Sequence, residues 1–490
     1  MGFPVTLDIA TQNHIDKTLS LVPSLYHAEL MADYENKHAQ SLRDANLYFL
    51  SVQDATKGLR LWMDYDDVKT LAERRANYCI RLDASQGALF CERVGIEPPT
   101  AKEEKGVYLR LSNPKWWSRK LFTKLKRDRE LFAIQSGKVQ KLASPYCSQF
   151  AFEAVRDQDE LNQQLMKEIK LVCGDEEITL FDAWESSTAN PYNRFVELVT
   201  RVKGFEDYAD TKDHQAQFIT ITAPSKFHAY RSSGHKNPKY QGATPRDTHQ
   251  HLMGVWQKVR AQFAKQSINV YGLRIVEPHH DATPHYHMVM FGTKDELQQA
   301  NTLMRDYFTQ EDKAELKDES VRFDVEVIDK AKGSAVGYVI KYLAKNILAE
   351  SINLKAGEDH DTGKSITETA GKVVAWARTW GIRQFTFFGG AGVSVWRELR
   401  RLDKTLDNDL LEQLRQSAHE SDWGKYQGLM DCMDVKPYSV ESFNADTGEL
   451  ILNQYQEITQ KIKGIQDGLD VHITRAKEWR VIFNATTENQ

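Results

Sequence analysis

The stretch YGLRIVEPHHDATPHYHMVMF, residues 271–291, decides the fold. Val270 to Glu277 and His285 to Phe291 are rich in β-branched, aromatic and long apolar residues, and the turn-rich PHHDATP lies between them. This pattern predicts two strands joined as a hairpin. Successive side chains of a strand point to opposite faces. His285 and His287 therefore share a face, and Val289 and Phe291 continue it as packing. Two imidazoles so placed suit one divalent metal, although an HxH pair alone is a weak signal. Glu277 ends the first strand, and the hairpin returns its carboxylate toward His285. Two imidazoles and a carboxylate would hold Mg²⁺ or Mn²⁺ and leave positions open for a phosphate oxygen. His279, His280 and Asp281 lie in the connecting turn, where one could be a ligand or support one. For His280 a solvated turn is the simpler reading.

Outward from the hairpin, Gln217 to Ala223 (QFITITA) and Val321 to Ile328 (VRFDVEVI) read as strands. Thr248 to Phe263, Asp295 to Tyr307 and Ser334 to Leu348 carry helical periodicity. Strand, helix, two strands, helix, strand and helix imply an α+β domain with a mainly antiparallel sheet flanked by helices. The last helix contains Tyr338-Val-Ile-Lys-Tyr342. Residues four apart sit about 40° apart around a helix axis. With Val336, Val339, Ile340, Leu343 and Ile347 as the core stripe, Tyr338, Tyr342, Lys341 and Lys345 are expected on the other side, facing solvent or substrate. Between the first strand and the next helix, Ser225 to Arg246 is a loop bearing Lys226, Arg231, Lys236, Lys239 and Arg246 with no acid.

The chain has 490 residues, 41% hydrophobic and 27% charged, as expected of a soluble globular protein of about two to four domains. The net charge of −5 argues against indiscriminate nucleic-acid coating, but basic residues are clustered. KWWSRKLFTKLKRDRE, residues 115–130, is the densest cluster. Either Lys115, Arg119 and Lys120 lie along phosphates with Trp116 or Trp117 stacking on a base, or the face is solvated and the tryptophans pack inward. The five cysteines are scattered and form no CxxC pair, which points to reduced thiols rather than a zinc ribbon or disulfide framework. No apolar run is long enough to cross a bilayer, and the Gly2/Thr6 match to a myristoylation pattern reads as chance. Four segments follow: a helical N-terminal region (1–110), a basic helical region (111–210), the α+β domain (211–390), and a helical extension ending in a hairpin around Ala445-Asp-Thr-Gly448 (391–490). Residues 150 to about 210 read as helical.

The parts fit one reaction. A metal draws off charge at a scissile phosphate. A tyrosine hydroxyl attacks phosphorus and leaves a phosphotyrosine and a free 3′-OH. Lys341 and Lys345 steady the phosphate, and the second tyrosine performs the next transfer.

These motifs resemble the gene A replication proteins of tailed temperate phages, in the two-tyrosine branch of the HUH superfamily of rolling-circle initiators. FITITAPSKFHAY, YGLRIVEPHHDATPHYHMVMF, GYVIKYLAKNI, AWARTWGIRQF and VWRELRRL carry the resemblance, with PYCSQ, NPYNRFVEL, YQE and TRAKEWRVI beside them, over roughly residues 110–485. It implies an HUH endonuclease core with a small C-terminal α/β extension, origin nicking with a 5′-phosphotyrosine link, and rolling-circle DNA replication. It implies His285 and His287 as metal ligands, with Glu277 as third ligand and His279 as its rival. Tyr338 and Tyr342 become the nucleophiles, and Tyr286 the bulky middle residue of the HUH triplet. Single-stranded or origin DNA is the implied substrate, a host helicase and polymerase the implied partners, and the bacterial host cytoplasm the implied location. A relaxase or a two-tyrosine transposase would use the same chemistry. A non-catalytic DNA-binding repressor, or a phosphohydrolase in which water attacks, would need no tyrosine. GEDHDTGKS, residues 357–365, has five residues between its glycines where a P-loop has four, and follows a predicted helix; it is not read as an ATP site.

Overall fold

The computed structural model describes residues 8–56, 59–331, 333–347, 366–443 and 449–483. The 357–365 motif, the Gly2/Thr6 pattern and the turn of the 445–448 hairpin lie outside these residues, and so do the side chains of Lys341 and Lys345. The described chain forms two compact units, one of residues 1–138 with 441–459 and one of 139–440 with 460–490.

The N-terminal unit is helical, from Ile9–Leu19 to the long helix Pro114–Gln135. Asn113 caps that long helix by accepting from the amides of Lys115 and Trp116, and Pro114 supplies a preset φ at its first turn. Trp116 and Trp117 are buried in the unit's core beside Leu111, Leu121 and Tyr455. The Trp117 indole donates to the Leu111 carbonyl at 2.7 Å. The stacking role considered for these tryptophans is thereby corrected. Their apolar area is spent on the core, and the basic side chains of the same helix divide: Arg129 turns inward to the Leu61 and Met63 carbonyls and Lys124 pairs with Asp128. Lys115 and Arg119 are exposed, and Arg119 donates to the Tyr455 hydroxyl at 2.6 Å.

The second unit is built on five strands: β1 (Gln215–Ile221), β2 (Tyr271–Pro278), β3 (Pro284–Gly292), β4 (Phe323–Val327) and β5 (Phe385–Phe388). They form one antiparallel sheet in the order β4-β1-β3-β2-β5. The α+β expectation holds, and four of the strands fall where the sequence placed them. The edge strand β5 was not anticipated: a four-residue FTFF is too short for alternation to show. The hairpin Lys170–Cys173/Glu176–Thr179 also interrupts a region expected to be helical, turning at Gly174 with φ +58°.

Helices cover both faces of the sheet. On one side, α1 (Pro191–Thr211) and α4 (Ala335–Ile347) bury Phe195, Leu198, Val202, Phe205, Val339 and Leu343 against Phe218, Leu273, Ile275, Val289 and Phe291. On the other, α2 (Pro245–Lys265) and α3 (Lys294–Thr309) bury Leu252, Trp256, Val259, Leu297 and Met304. Every residue of β2 and β3 is buried, as expected when both faces are covered. Capping boxes at Thr244/Asp247 and Thr293/Glu296 start α2 and α3.

Gly272 sits where β2 meets β3. A Cβ there would stand 1.9 Å from the Val289 carbonyl oxygen. Gly272→Ala is expected to lower stability by about 3 kcal/mol or more, because backbone rather than a flexible side chain must move. Urea unfolding of the two proteins checks this, and an unchanged midpoint would contradict it.

Candidate metal and tyrosine site

The pairing of β2 with β3 places Glu277 opposite His285 and Ile275 opposite His287. On the far side of β3, Thr220 of β1 lies opposite His287. These registers bring the donor atoms of Glu277, His285 and His287 within 4.8 Å of one another. All three residues are buried, with relative exposures of 1%, 4% and 7%. The two Nε2 atoms face each other at 2.8 Å, and Thr220 Oγ1 lies 3.2 Å from His287 Nδ1. A contact on Nδ1 fixes the ring so that Nε2 is the nitrogen presented to the cluster. Two imidazoles and a carboxylate, buried and converging, fit a divalent cation; the same groups packed without one would carry a desolvation cost with little return.

His279, the rival ligand, lies outside this triad. Its ring stacks on His285 with centroids 4.0 Å apart. Burial, followed by the neighbouring His285 and His228, pushes its pKa well below the ordinary range. The turn around it is not solvated, which corrects the expectation for His280. His280 and Asp281 are buried. Two contacts cover the turn: the Tyr146 amide donates to the His280 carbonyl at 3.3 Å, and the Trp376 indole to the Ala282 carbonyl at 2.9 Å.

Helix α4 lies over the triad's face of the sheet, and its buried stripe is Ala335, Val339, Leu343 and Asn346. Val336, Ile340 and Ile347 are half-buried, and so are both tyrosines. The expectation that the tyrosines face away from the core is corrected. They flank the stripe, partly buried against the core. The Tyr342 ring lies 4.3 Å from that of His287, and Phe218 stacks on both. Tyr338 is farther out, 6.0 Å from Phe218, and its hydroxyl donates to Glu326 of β4 at 2.9 Å. That hydrogen bond, with some burial, raises the Tyr338 pKa.

Sequence reasoning missed Asn346 and Gln384. The Asn346 amide donates to the Glu277 carboxylate and accepts from Gln384. An Asn four residues after a tyrosine could have signalled this, but Gln384 lies 38 residues away in sequence and gives no sign.

The basic loop borders a groove of about 710 Å³, lined among others by Lys141, Arg231, Lys239, His228 and His279. Lys226 pairs with Glu311 and Asp312, and Lys239 with Glu315 at 3.1 Å. The loop has no acid of its own, but residues 311–315 supply them. Arg231 and Lys236 are exposed.

The comparisons with known proteins agree on one family. The model of the bacteriophage replication gene A protein family matches residues 64–350. The replication gene A protein of Escherichia phage 186 is 36% identical over 76% of this chain and 55% of its own length. The probable replication protein of Pseudoalteromonas phage PM2 is 38% identical over 75% of this chain and 58% of its own. A probable replication endonuclease from a prophage-like region of Salmonella paratyphi A is 31% identical over 80% of this chain and 53% of its own. The chain belongs to the bacteriophage replication gene A protein family. It spans a little over half the length of these three relatives. No solved structure matches it.

His228 and the buried Asp281 form an ion pair at 3.3 Å beside the site. Burial opposes charge on both. Asp281 nevertheless raises the His228 pKa, and His228, helped by His279 and His280, holds the Asp281 carboxyl below its ordinary range. The Asp281 contribution is present above the ordinary carboxylate pKa of about 3.9 and fades as pH falls through its lowered value. The His228 contribution is full below about 6.5 and fades as pH rises through its raised value. Asp281→Ala is expected to cost about 3–5 kcal/mol, with the gap from the wild type larger at about pH 5.5 than at about pH 9. Denaturant titrations at the two pH values measure this, and a gap independent of pH would contradict the pairing.

Proposed function

We propose that this chain is a site- and strand-specific DNA endonuclease of the HUH type that nicks a replication origin and starts rolling-circle replication. The observation that carries the reading is the Tyr342 ring 4.3 Å from that of His287 in a buried Glu277–His285–His287 triad, in a chain of the gene A family. The printed name of the Salmonella paratyphi A relative, a replication endonuclease, supports the reaction class.

Mg²⁺ or Mn²⁺ held by Glu277, His285 and His287 would neutralise charge on the scissile phosphate. His285 and His287 present Nε2 to that position, with Thr220 behind His287. The Tyr342 Oη attacks phosphorus. The Oη–P bond forms as the P–O3′ bond breaks, the phenolic proton is lost, and the departing oxygen ends as a 3′-OH. The segment downstream of the cut stays linked to the tyrosine through its 5′-phosphate, and the upstream segment ends in a 3′-OH free to prime synthesis. Tyr338, one helical turn away, takes the second transfer, when Glu326 releases its hydroxyl. Lys341 and Lys345 steady the phosphate. Lys115, Arg119, Lys120, Lys226, Arg231, Lys236 and Lys239 contact the DNA backbone, whose charge draws cations of this kind. A host helicase and polymerase complete replication in the bacterial cytoplasm; no described helix is long and apolar enough to cross a membrane.

The test is a denaturing gel after incubation with Mn²⁺ and end-labelled single-stranded origin DNA. A protein-sized labelled band is expected with the wild type. It disappears in the Tyr338→Phe/Tyr342→Phe double variant. It falls at least about a hundredfold in His287→Ala, the loss of a few kcal/mol of transition-state stabilisation. Tyr342→Phe is expected to lower the first cut more than Tyr338→Phe. Cleavage without a covalent band, surviving in the double variant, would overturn the tyrosine mechanism in favour of metal-bound water.

A further inference from the structure

Glu277 is buried, and a carboxylate in that setting needs donors that hold it in one orientation. The Asn346 amide is one such donor. It is itself buried, at 2% exposure, on the same helix as Tyr342 and one turn beyond it. Its nitrogen donates twice, to Glu277 Oε1 and to the Tyr342 carbonyl at 2.6 Å. A carboxylate oxygen can only accept, so the nitrogen side of the amide must face Glu277. The oxygen then points at Gln384, whose amide donates to it. Gln384 is buried as well, and its backbone carbonyl accepts from the Val276 amide at 2.8 Å, next to Glu277 in the chain. The donors and acceptor of the Asn346 side chain are therefore all committed, and Gln384 is tied to β2 through its backbone.

Resting on the metal-site reading above, we propose that Asn346 is a positioning residue for the metal carboxylate, with Gln384 locking its amide. The same amide joins the Tyr342 turn of α4 to Glu277. Metal affinity and the seat of the tyrosine helix then depend on one side chain. Loss of the amide would free the carboxylate to rotate away from the two imidazoles without removing any ligand. Outer partners of metal ligands typically change affinity by about 10- to 100-fold.

The test is Mn²⁺ titration of the full chain, read by the electron paramagnetic resonance signal of free Mn²⁺. Wild type, His287→Ala, Asn346→Ala and Gln384→Ala are compared with Asn301→Ala. Asn301 donates to Gln217 at 2.8 Å, so this control breaks another amide pair of the same unit, away from the triad. The expected result is Mn²⁺ binding about 10- to 100-fold weaker in Asn346→Ala, weaker in the same direction in Gln384→Ala, and unchanged in Asn301→Ala. Nicking by Asn346→Ala at low Mn²⁺ falls by a similar factor and recovers at saturating Mn²⁺. Unchanged Mn²⁺ affinity in Asn346→Ala, or an equal loss in all three amide variants, overturns the proposal and leaves the triad standing. A wild type that binds no Mn²⁺, or binding that survives His287→Ala, overturns the triad reading and the proposal together. Should Asn346→Ala fail to fold, Gln384→Ala decides by the same titration.

Discussion

The antiparallel pairing of β2 with β3 is the constraint on which the site depends. Its register sets Glu277 against His285, and the two-residue alternation of β3 then puts His287 on the same face. A slip of one residue would turn both histidines to the α2–α3 face, where Tyr286 meets His249. Gly272 lets the strands approach closely, and the apolar residues Val289 and Phe291 anchor the same register in the core. Burial of the packing residues and placement of the candidate ligands are thus one event.

A second consequence is electrostatic. The triad lies on β2 and β3, which are buried along their whole length, so polar groups there need partners. Thr220, Asn346 and Gln384 supply some, and the Asp281–His228 pair steadies the turn that leads from Glu277 to His285. The turn is tight: Ala282 adopts φ +69°, and the Asp281 carboxylate accepts from the Thr283 amide at 3.2 Å. Chemistry and stability draw on the same short segment.

Much of this was legible in the sequence, for identifiable reasons. Alternation in QFITITA and PHYHMVMF, and helical spacing around Tyr338 and Tyr342, report local geometry directly, and the sheet's four longer strands follow from them. The HxH pair and Glu277 were visible because a hairpin makes neighbours in sequence neighbours in space. What was not legible depends on long-range packing. The burial of Trp116 and Trp117 is set by residues distant in sequence, among them Phe90 and Arg75 of other helices. His280 and Asp281 look like turn residues until Tyr146 and Trp376 are brought over them. Asn346 and Gln384, hydrogen-bonded to Glu277 and to each other, come from distant stretches of the chain, and periodicity cannot show which of two polar flanks a sheet will take.

Mapping the DNA adduct by mass spectrometry tests the central claim most directly. Trypsin separates the tyrosines, releasing Tyr338 in residues 333–341 and Tyr342 in residues 342–345. After a brief reaction with origin DNA and Mn²⁺, followed by nuclease trimming, the account predicts a nucleotide phosphate on the peptide containing Tyr342. A nucleotide on a residue outside α4, or cut DNA ending in free 5′-phosphate with both peptides unmodified, would contradict it.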